Sequence, residues 1–142
     1  MRLAYIGLGS NVEPRLQYLR FGIHELGKIS SVLDVSSLYE TEPWGFKEQP
    51  RFLNAVALIE SKLDPFSLLD ALKEIEARVR LPRFRWGPRE LDLDVLVYEG
   101  VRLKTPSLEV PHPRMRERAF VMVPLRELWE RGWPRLTEEA LF

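Results

Sequence analysis

Cysteine is absent from the sequence, and its absence excludes three classes of protein. A disulfide-stabilised domain, an enzyme with a thiol nucleophile and a protein with a cysteine-ligated zinc site all need this residue. The chain must therefore be held together by an apolar core. Its 142 residues, 45% of them hydrophobic, are enough for one such core and predict a single domain over residues 1–142.

Net charge and long apolar runs are also missing. The 21 Lys and Arg residues balance the 21 Asp and Glu residues, whereas proteins that bind nucleic acid or anionic membranes usually carry a basic excess. No apolar stretch approaches the roughly 20 residues of a membrane span, and the N-terminus has no signal-peptide pattern. We therefore expect a cytoplasmic protein that binds neither nucleic acid nor membrane.

The apolar residues recur with strand spacing in some segments and with helix spacing in others. Strands are predicted for residues 3–8, 32–39, 52–60 and 91–98. Helices are predicted for residues 14–28, 65–79 and 118–129. Glu99-Gly100 predicts a hairpin turn into a further strand at 101–103. Strands outnumber crossover helices, so the pattern favours an α+β sandwich, a mainly antiparallel sheet with helices packed against it.

Asp92 and Asp94 are the first candidates for chemistry. Residues two apart on a strand point to the same face and lie roughly 7 Å apart, so both carboxylates project from one side. Two such carboxylates repel each other unless a cation lies between them, and Mg²⁺ binds through one or two carboxylates together with substrate phosphates. A solvated strand face is the simpler interpretation of an isolated Asp-x-Asp. The neighbouring residues decide between this interpretation and a metal site.

Directly upstream lies an arginine-rich segment. Five arginines and no acidic residue occur between Arg78 and Arg89, in a chain that is otherwise neutral. A loop that served only solubility would not also contain Phe84 and Trp86. Arginine binds phosphate through a rigid fork of donors. An arginine loop next to paired carboxylates is therefore typical of a site for polyphosphate and a divalent metal.

Phe52 and Asn54 form a second candidate site. They share one face of the predicted strand at 52–60, so a ring for stacking and an amide for paired hydrogen bonds project together. A flat heterocycle would satisfy both side chains. An apolar core position for Phe52, beside an Asn54 bonded to backbone groups, is equally compatible with the pattern.

Together these motifs resemble the 6-hydroxymethyl-7,8-dihydropterin pyrophosphokinase family of the folate pathway. The resemblance is carried by RWGPRELDLDVLVY at 85–98 and VPHPRMRERAFVMVPL at 110–125. AYIGLGSN, SSLYETEPWG and FLNAVALIE extend it in the same order, from about Leu3 to Leu128. It implies a ferredoxin-like fold, a monomer, and transfer of a pyrophosphoryl group from ATP to the pterin hydroxymethyl group with release of AMP.

The resemblance also implies a role for individual residues. Asp92 and Asp94 would hold two Mg²⁺ ions. The positions that match catalytic arginines are Arg78, Arg80 and Arg89. Those that match the ATP site are Lys73, Glu76, Trp86, Arg89, His112, Arg118 and the backbone around Val95 and Leu108. Those that match the pterin site are Thr41, Glu42, Trp44, Phe52, Asn54, Asp92 and Phe120. Which of the loop arginines contact phosphate stays open among Arg78, Arg80, Arg83 and Arg85.

Two of these positions also have a structural interpretation. His112 lies between two prolines and would suit a rigid turn. Phe120 lies in a predicted helix, where an aromatic residue usually belongs to the core. For both residues the functional role depends on the resemblance.

A single-stranded RNA-binding module is the alternative function. Ferredoxin-like sheets that carry aromatic and arginine side chains also bind RNA. The neutral net charge argues against it, and so do the twin carboxylates, which would repel a phosphate backbone unless a metal were bound.

Overall fold

The computed structural model describes residues 1–43, 48–81 and 88–136. The strands are β1 (Arg2–Ser10), β2 (Ser31–Val35), β3 (Tyr39–Thr41), β4 (Phe52–Ser61), β5 (Asp92–Tyr98), β6 (Leu103–Lys104) and β7 (Glu109–Val110). The helices are α1 (Arg15–Ile29), α2 (Pro65–Ala77) and α3 (Ala119–Glu130), with a 3-10 turn at Met115–Glu117. Among the described residues, none of the helices has the length and apolar character needed to cross a bilayer.

The main sheet is antiparallel, and its strands lie in the order β2-β4-β1-β5, with β3 also paired to β4. α1 connects β1 to the β2–β3 segment, and α2 connects β4 to β5. This connectivity is the split βαβ arrangement of ferredoxin-like folds. The predicted α+β class, with a mainly antiparallel sheet and helices packed on it, is confirmed.

Two apolar layers cover the two faces of the sheet. Ala4 and Ile6 of β1 belong to the layer formed with α1 and α2. Tyr5 points to the opposite face, where it packs with residues of α3. Because side chains alternate along a strand, Gly7 and Gly9 also lie on the α3 face. Because glycine has no side chain, these two residues leave space on that face, at the end of β1 that precedes α1.

The first residues of α2 explain where this helix begins. Asp64 accepts a hydrogen bond from the backbone N–H of Ser67 at 2.9 Å, and Pro65 occupies the first helical position, where its missing N–H costs nothing. Leu68, Leu72 and Ile75 form the buried face. The helix ends directly before the arginine-rich segment, so this segment starts at the edge of the sheet beside β5.

The segment predicted as one strand at 32–39 is divided into β2 and β3. Val35 pairs with Ala57, whereas Tyr39 pairs with Asn54. The segment thus advances four residues, from 35 to 39, while β4 recedes three, from 57 to 54, and the extra residue makes a bulge. Ser36 fills the gap, since its Oγ accepts a hydrogen bond from the backbone N–H of Val56 at 2.9 Å.

The predicted hairpin strand at 101–103 is wrong in its partner. Gly100 makes the turn with a φ of 72°, but only a single bridge, between Tyr98 and Val101, follows it. Leu103 pairs with Val110 instead. A backbone acceptor of β5 is already bonded to another segment, because the backbone N–H of His112 donates to the carbonyl oxygen of Leu96 at 2.8 Å.

Candidate active site

The candidate site lies at one end of the sheet, on the face that carries α3. Gly9 of β1 lies in register between Asn54 of β4 and Asp92 of β5, and Gly7 lies two residues away opposite Asp94. Residues two apart share a face, so the amide and both carboxylates project into the same space. They line one cavity together with Phe120 of α3.

Asp94 lies among acidic groups. Burial raises the pKa of Asp94, and the charges of Asp92 and Glu76 raise it further, while Arg118 and Arg89 act in the opposite direction. Carboxylates that repel each other are stabilised by a cation between them. Within the described residues, no group of three or more His, Cys, Asp or Glu side chains is placed so that it could hold a metal ion. This oxygen-only donor pair therefore fits a Mg²⁺ ion that completes its coordination with water and phosphate oxygens.

Glu76 joins α2 to the edge strand β5. Its Oε2 accepts a hydrogen bond from the backbone N–H of Leu93 at 2.6 Å, and its Oε1 pairs with Arg80 at 3.2 Å. Burial raises the pKa of Glu76, and the charge of Asp92 adds to this effect, although the Leu93 N–H opposes it. An edge strand has backbone donors that need partners. Glu76 is the acceptor for one of these donors, the N–H of Leu93, and thereby fixes the strand that carries the two aspartates.

Asn54 forms the opposite wall of the cavity. The residue is 6% exposed, and its Nδ2 donates to Thr41 Oγ1 at 2.5 Å. Thr41 lies in β3 opposite Phe52, which begins β4. From the other side, α3 contributes Phe120. The Phe52 ring and the Asn54 amide of β4 both lie beside Gly9, and the Phe120 ring of α3 lines the same cavity as Asn54. Two elements thus provide the groups that a planar ring could contact.

Arg118 lies between the acidic and the aromatic parts of the cavity. Burial lowers the pKa of Arg118, while the charge of Asp94 raises it. Its guanidinium carbon lies 5.5 Å from the centroid of the Phe120 ring. The arrangement gives the site a cation next to the aspartate pair, which is the charge that a phosphate group needs.

The arginine-rich segment starts beside this cavity. Arg78 ends α2 and forms an ion pair with Glu25 of α1. Arg80 pairs with Glu76. Arg89 lies shortly before β5, and its carbonyl oxygen accepts a hydrogen bond from the N–H of Asn11, the residue that follows β1. Of the predicted catalytic arginines, Arg89 is near enough to act on the charge of Asp94, and Arg80 contacts Glu76, whereas Arg78 contacts α1. Trp44, Arg83, Arg85 and Trp86 lie outside the described residues.

A family model described as 7,8-dihydro-6-hydroxymethylpterin-pyrophosphokinase matches residues 5–130, a range that includes every residue of this cavity. The chain belongs to this pyrophosphokinase family. Two of its relatives are 2-amino-4-hydroxy-6-hydroxymethyldihydropteridine pyrophosphokinases. That of Bacillus subtilis is 45% identical over 129 residues, which cover 89% of this chain and 77% of the relative. That of Aquifex aeolicus is 41% identical over 129 residues, covering 90% and 81%.

A solved structure supports the fold of the pyrophosphokinase. The wild-type HPPK-DHPS of Plasmodium falciparum, crystallised with SDX-DHP, matches with a TM-score of 0.70 and 14% sequence identity. The match covers 90% of this chain and 40% of that longer chain. At this identity the likeness concerns the fold alone. Family membership itself confirms the predicted enzyme class, pyrophosphoryl transfer in folate biosynthesis, and leaves the RNA-binding alternative without support.

His112 faces a neighbouring cavity of the pyrophosphokinase. This cavity measures about 410 Å³ and is formed by the β6–β7 hairpin and the 3-10 turn. Burial lowers the pKa of His112 to about 4, and the charge of Arg118 contributes. The imidazole is therefore neutral at pH 7 and retains one N–H donor. Its predicted contact with phosphate stays a prediction.

Four of the predicted ligand-binding residues have side chains that do not line the cavity between β4, β5 and α3. Val95 and Leu108 are buried in the apolar layer beneath α1 and α2, and the backbone of Leu108 is bonded to Thr105. Lys73 is exposed on α2. Glu42 is exposed and forms an ion pair with Arg51 at 2.9 Å. Any contact of these residues with a ligand stays a prediction.

Asn11 is a site residue that the sequence patterns did not single out. It is 1% exposed, and its Oδ1 accepts from the backbone N–H of Arg89 at 2.7 Å, while its own N–H donates to the Arg89 carbonyl oxygen. Its Nδ2 donates to Gln49 Oε1 at 2.8 Å and to the Pro50 carbonyl oxygen at 3.0 Å. Asn11 thus ties the Gln49-Pro50 segment and the end of the arginine-rich segment to β1. Its place directly after a strand, in a chain with two asparagines, was the available signal.

Proposed function

We propose that the chain transfers a pyrophosphoryl group from ATP to the hydroxymethyl group of 6-hydroxymethyl-7,8-dihydropterin, with release of AMP. Membership of the pyrophosphokinase family supports this reaction. The observation that carries it at residue level is the register across Gly9, which sets Asn54 on one side and Asp92 on the other. An amide suited to a heterocycle and a carboxylate suited to a metal–phosphate complex are thus two strands apart on one face.

The pterin is assigned to the space between β4 and α3. Phe52 and Phe120 supply two rings for stacking, which for aromatic pairs is favourable in offset or edge-to-face geometry. Asn54 supplies paired hydrogen bonds to the edge of the heterocycle, and Thr41 holds the amide in one orientation. Glu42, Trp44 and Asp92 are further pterin-binding candidates. The hydroxymethyl group would then point toward the two aspartates.

The triphosphate is assigned to the cationic side of the cavity. Asp92 and Asp94 would hold two Mg²⁺ ions, which when bound neutralise phosphate charge and orient the reacting oxygens. Arg118 and the arginines of the 78–89 segment supply the remaining positive field, and Glu76 keeps β5 in place. Transfer needs the attacking and leaving oxygens in line through phosphorus. The side chains therefore act chiefly by holding the two substrates in that geometry.

The reaction is tested by product analysis. Incubation with Mg²⁺ and ATP should release AMP only when the reduced hydroxymethylpterin is present, and excess EDTA should abolish the release. Chromatographic separation of AMP from ADP and mass spectrometry of the pterin product measure both halves. ADP as the product, or AMP formation that is indifferent to EDTA, would overturn the assignment.

Gly9→Ala is expected to raise the KM for the pterin about tenfold. A Cβ at this position would lie 2.9 Å from Asn54 Oδ1, so the amide would have to shift, and 3.4 Å from a Phe52 ring carbon, which is close van der Waals contact. Gly7→Ala is the matched control on the same strand face, because its Cβ would meet the Leu96 side chain at an ordinary 3.5 Å. Steady-state kinetics with varied pterin compare the two. Equal effects of both substitutions would count against the pterin assignment.

A cytoplasmic monomer is part of the proposal. The monomer follows from the resemblance, and the location is the expectation stated above from the sequence. Size-exclusion chromatography with light scattering tests the first, with one species near 16.7 kDa expected. A stable dimer at micromolar concentration would contradict it.

A further inference from the structure

The arginine-rich segment is anchored by buried carboxylates. Within the described part of the chain, the acidic residues that are less than a tenth exposed are Glu25, Glu76 and Glu90, at 4%, 8% and 1%. Each of them contacts the short stretch from Arg78 to Leu81. Glu76 pairs with Arg80, and Glu90 Oε1 accepts from the backbone N–H of Leu81 at 2.9 Å. The third, Glu25, holds Arg78.

Glu25 is the anchor that the proposed reaction does not explain. It lies on α1, the helix on the far side of the sheet from the cavity, and its side chain is 5% exposed. Its two oxygens have separate partners, since Oε1 accepts from Arg78 and Oε2 pairs with Lys28 Nζ at 2.7 Å. A buried carboxylate is costly unless it is paired. Arg78 and Lys28 together supply the positive charge that the Glu25 carboxylate needs.

The geometry of the contact leaves part of Arg78 available. A guanidinium group carries five N–H donors in a rigid fork. In the described residues, Glu25 receives its bond from the NH1 nitrogen alone, and the Arg78 side chain is 53% exposed. One end of the fork is thus fixed while the other end is open to solvent. A long side chain held in this way loses less rotamer freedom when it binds a phosphate.

We propose that Glu25 is a positioning residue, which holds Arg78 by one guanidinium nitrogen and presents the rest of the guanidinium to the phosphates of ATP. The proposal rests on the proposed function, in which Arg78 assists the transfer. Glu25 acts through Arg78 and touches neither substrate. Its charge keeps the arginine in place in the free enzyme, so that the site is preorganised before the nucleotide arrives.

Glu25→Gln keeps the shape of the side chain and removes its charge. We expect kcat to fall about tenfold, the size typical of losing a partner that orients a functional group, with the KM for the pterin unchanged. Lys28→Ala is the matched control, because it removes the other partner of the same carboxylate and leaves Arg78 bonded. This control should retain the wild-type kcat. Circular dichroism and thermal melting verify that both variants fold.

A double-mutant cycle separates positioning from a merely structural role. In an Arg78→Ala background, Glu25→Gln should cause no further loss of kcat, because the residue it positions is gone. An equal loss in both backgrounds would overturn the proposal, as would an unchanged kcat in Glu25→Gln. A lower KM for ATP with an undiminished kcat would also overturn it, since Glu25 would then restrain Arg78. Production of AMP by the wild type tests the reaction separately.

Discussion

Asp94→Asn is expected to lower kcat about a thousandfold, a loss of about 4 kcal/mol of transition-state stabilisation. The amide keeps the size of the side chain but removes the charge that would hold a divalent ion. Asp94 shares its strand face with Asp92, so the variant leaves a single carboxylate where two are proposed to hold the metal. Single-turnover AMP formation at saturating Mg²⁺ and ATP measures the effect on the chemical step.

The same variant makes a second, opposite prediction for stability. Burial and the neighbouring Asp92 raise the pKa of Asp94, so the folded state disfavours its charge. The wild-type protein without ligands should therefore lose stability as the pH rises through that folded pKa, and Asp94→Asn should lose less. The ligand-free Tm of the variant at pH 8 should equal or exceed that of the wild type. A lower Tm would assign Asp94 a structural role.

Asp70→Asn is the control for this substitution. Asp70 is exposed on α2, away from the cavity, and undergoes the same chemical change. Its kcat and KM values should match those of the wild type. Near-normal turnover in Asp94→Asn would contradict the assignment of the metal to Asp92 and Asp94, regardless of the result for the control.

Asn54→Ala should lower kcat/KM for the pterin by about three orders of magnitude. A site built to hydrogen-bond a substrate loses this much when the partner is missing, because polar groups are then buried without partners. Thr41 would also lose the donor that now reaches its hydroxyl. Steady-state kinetics with varied pterin, at fixed saturating Mg²⁺ and ATP, give the value.

The nucleotide side supplies the internal control for Asn54→Ala. Binding of a non-hydrolysable ATP analogue, measured by calorimetry, should stay within about twofold of the wild type, because Asn54 lies across Gly9 from the aspartates. If binding of both ligands fell equally, the substitution would be acting on the fold. The assignment of Asn54 to the pterin would then fail.

Much of the fold follows from local signals. The strand predicted for 52–60 is β4, Phe52–Ser61, and the helix predicted from Asp64-Pro65 is α2. Alternation, helical spacing and a capping aspartate act between residues a few positions apart, so they can be recognised without knowing the partners. The division of 32–39 and the partner of Leu103 could not be recognised in this way. Both depend on which backbone groups a distant strand has already used.

The linear order of residues was enough to name the chemistry: two carboxylates on one strand face, an arginine-rich segment before them, and a phenylalanine and an asparagine two apart on another strand. Each of these features is a matter of spacing within one element. Folding decided how they meet. The register of β1 against its two neighbours sets Gly9 between Asn54 and Asp92, and the packing of α1 brings Glu25 to Arg78. Contacts between residues tens of positions apart depend on the whole core, which no short pattern encodes.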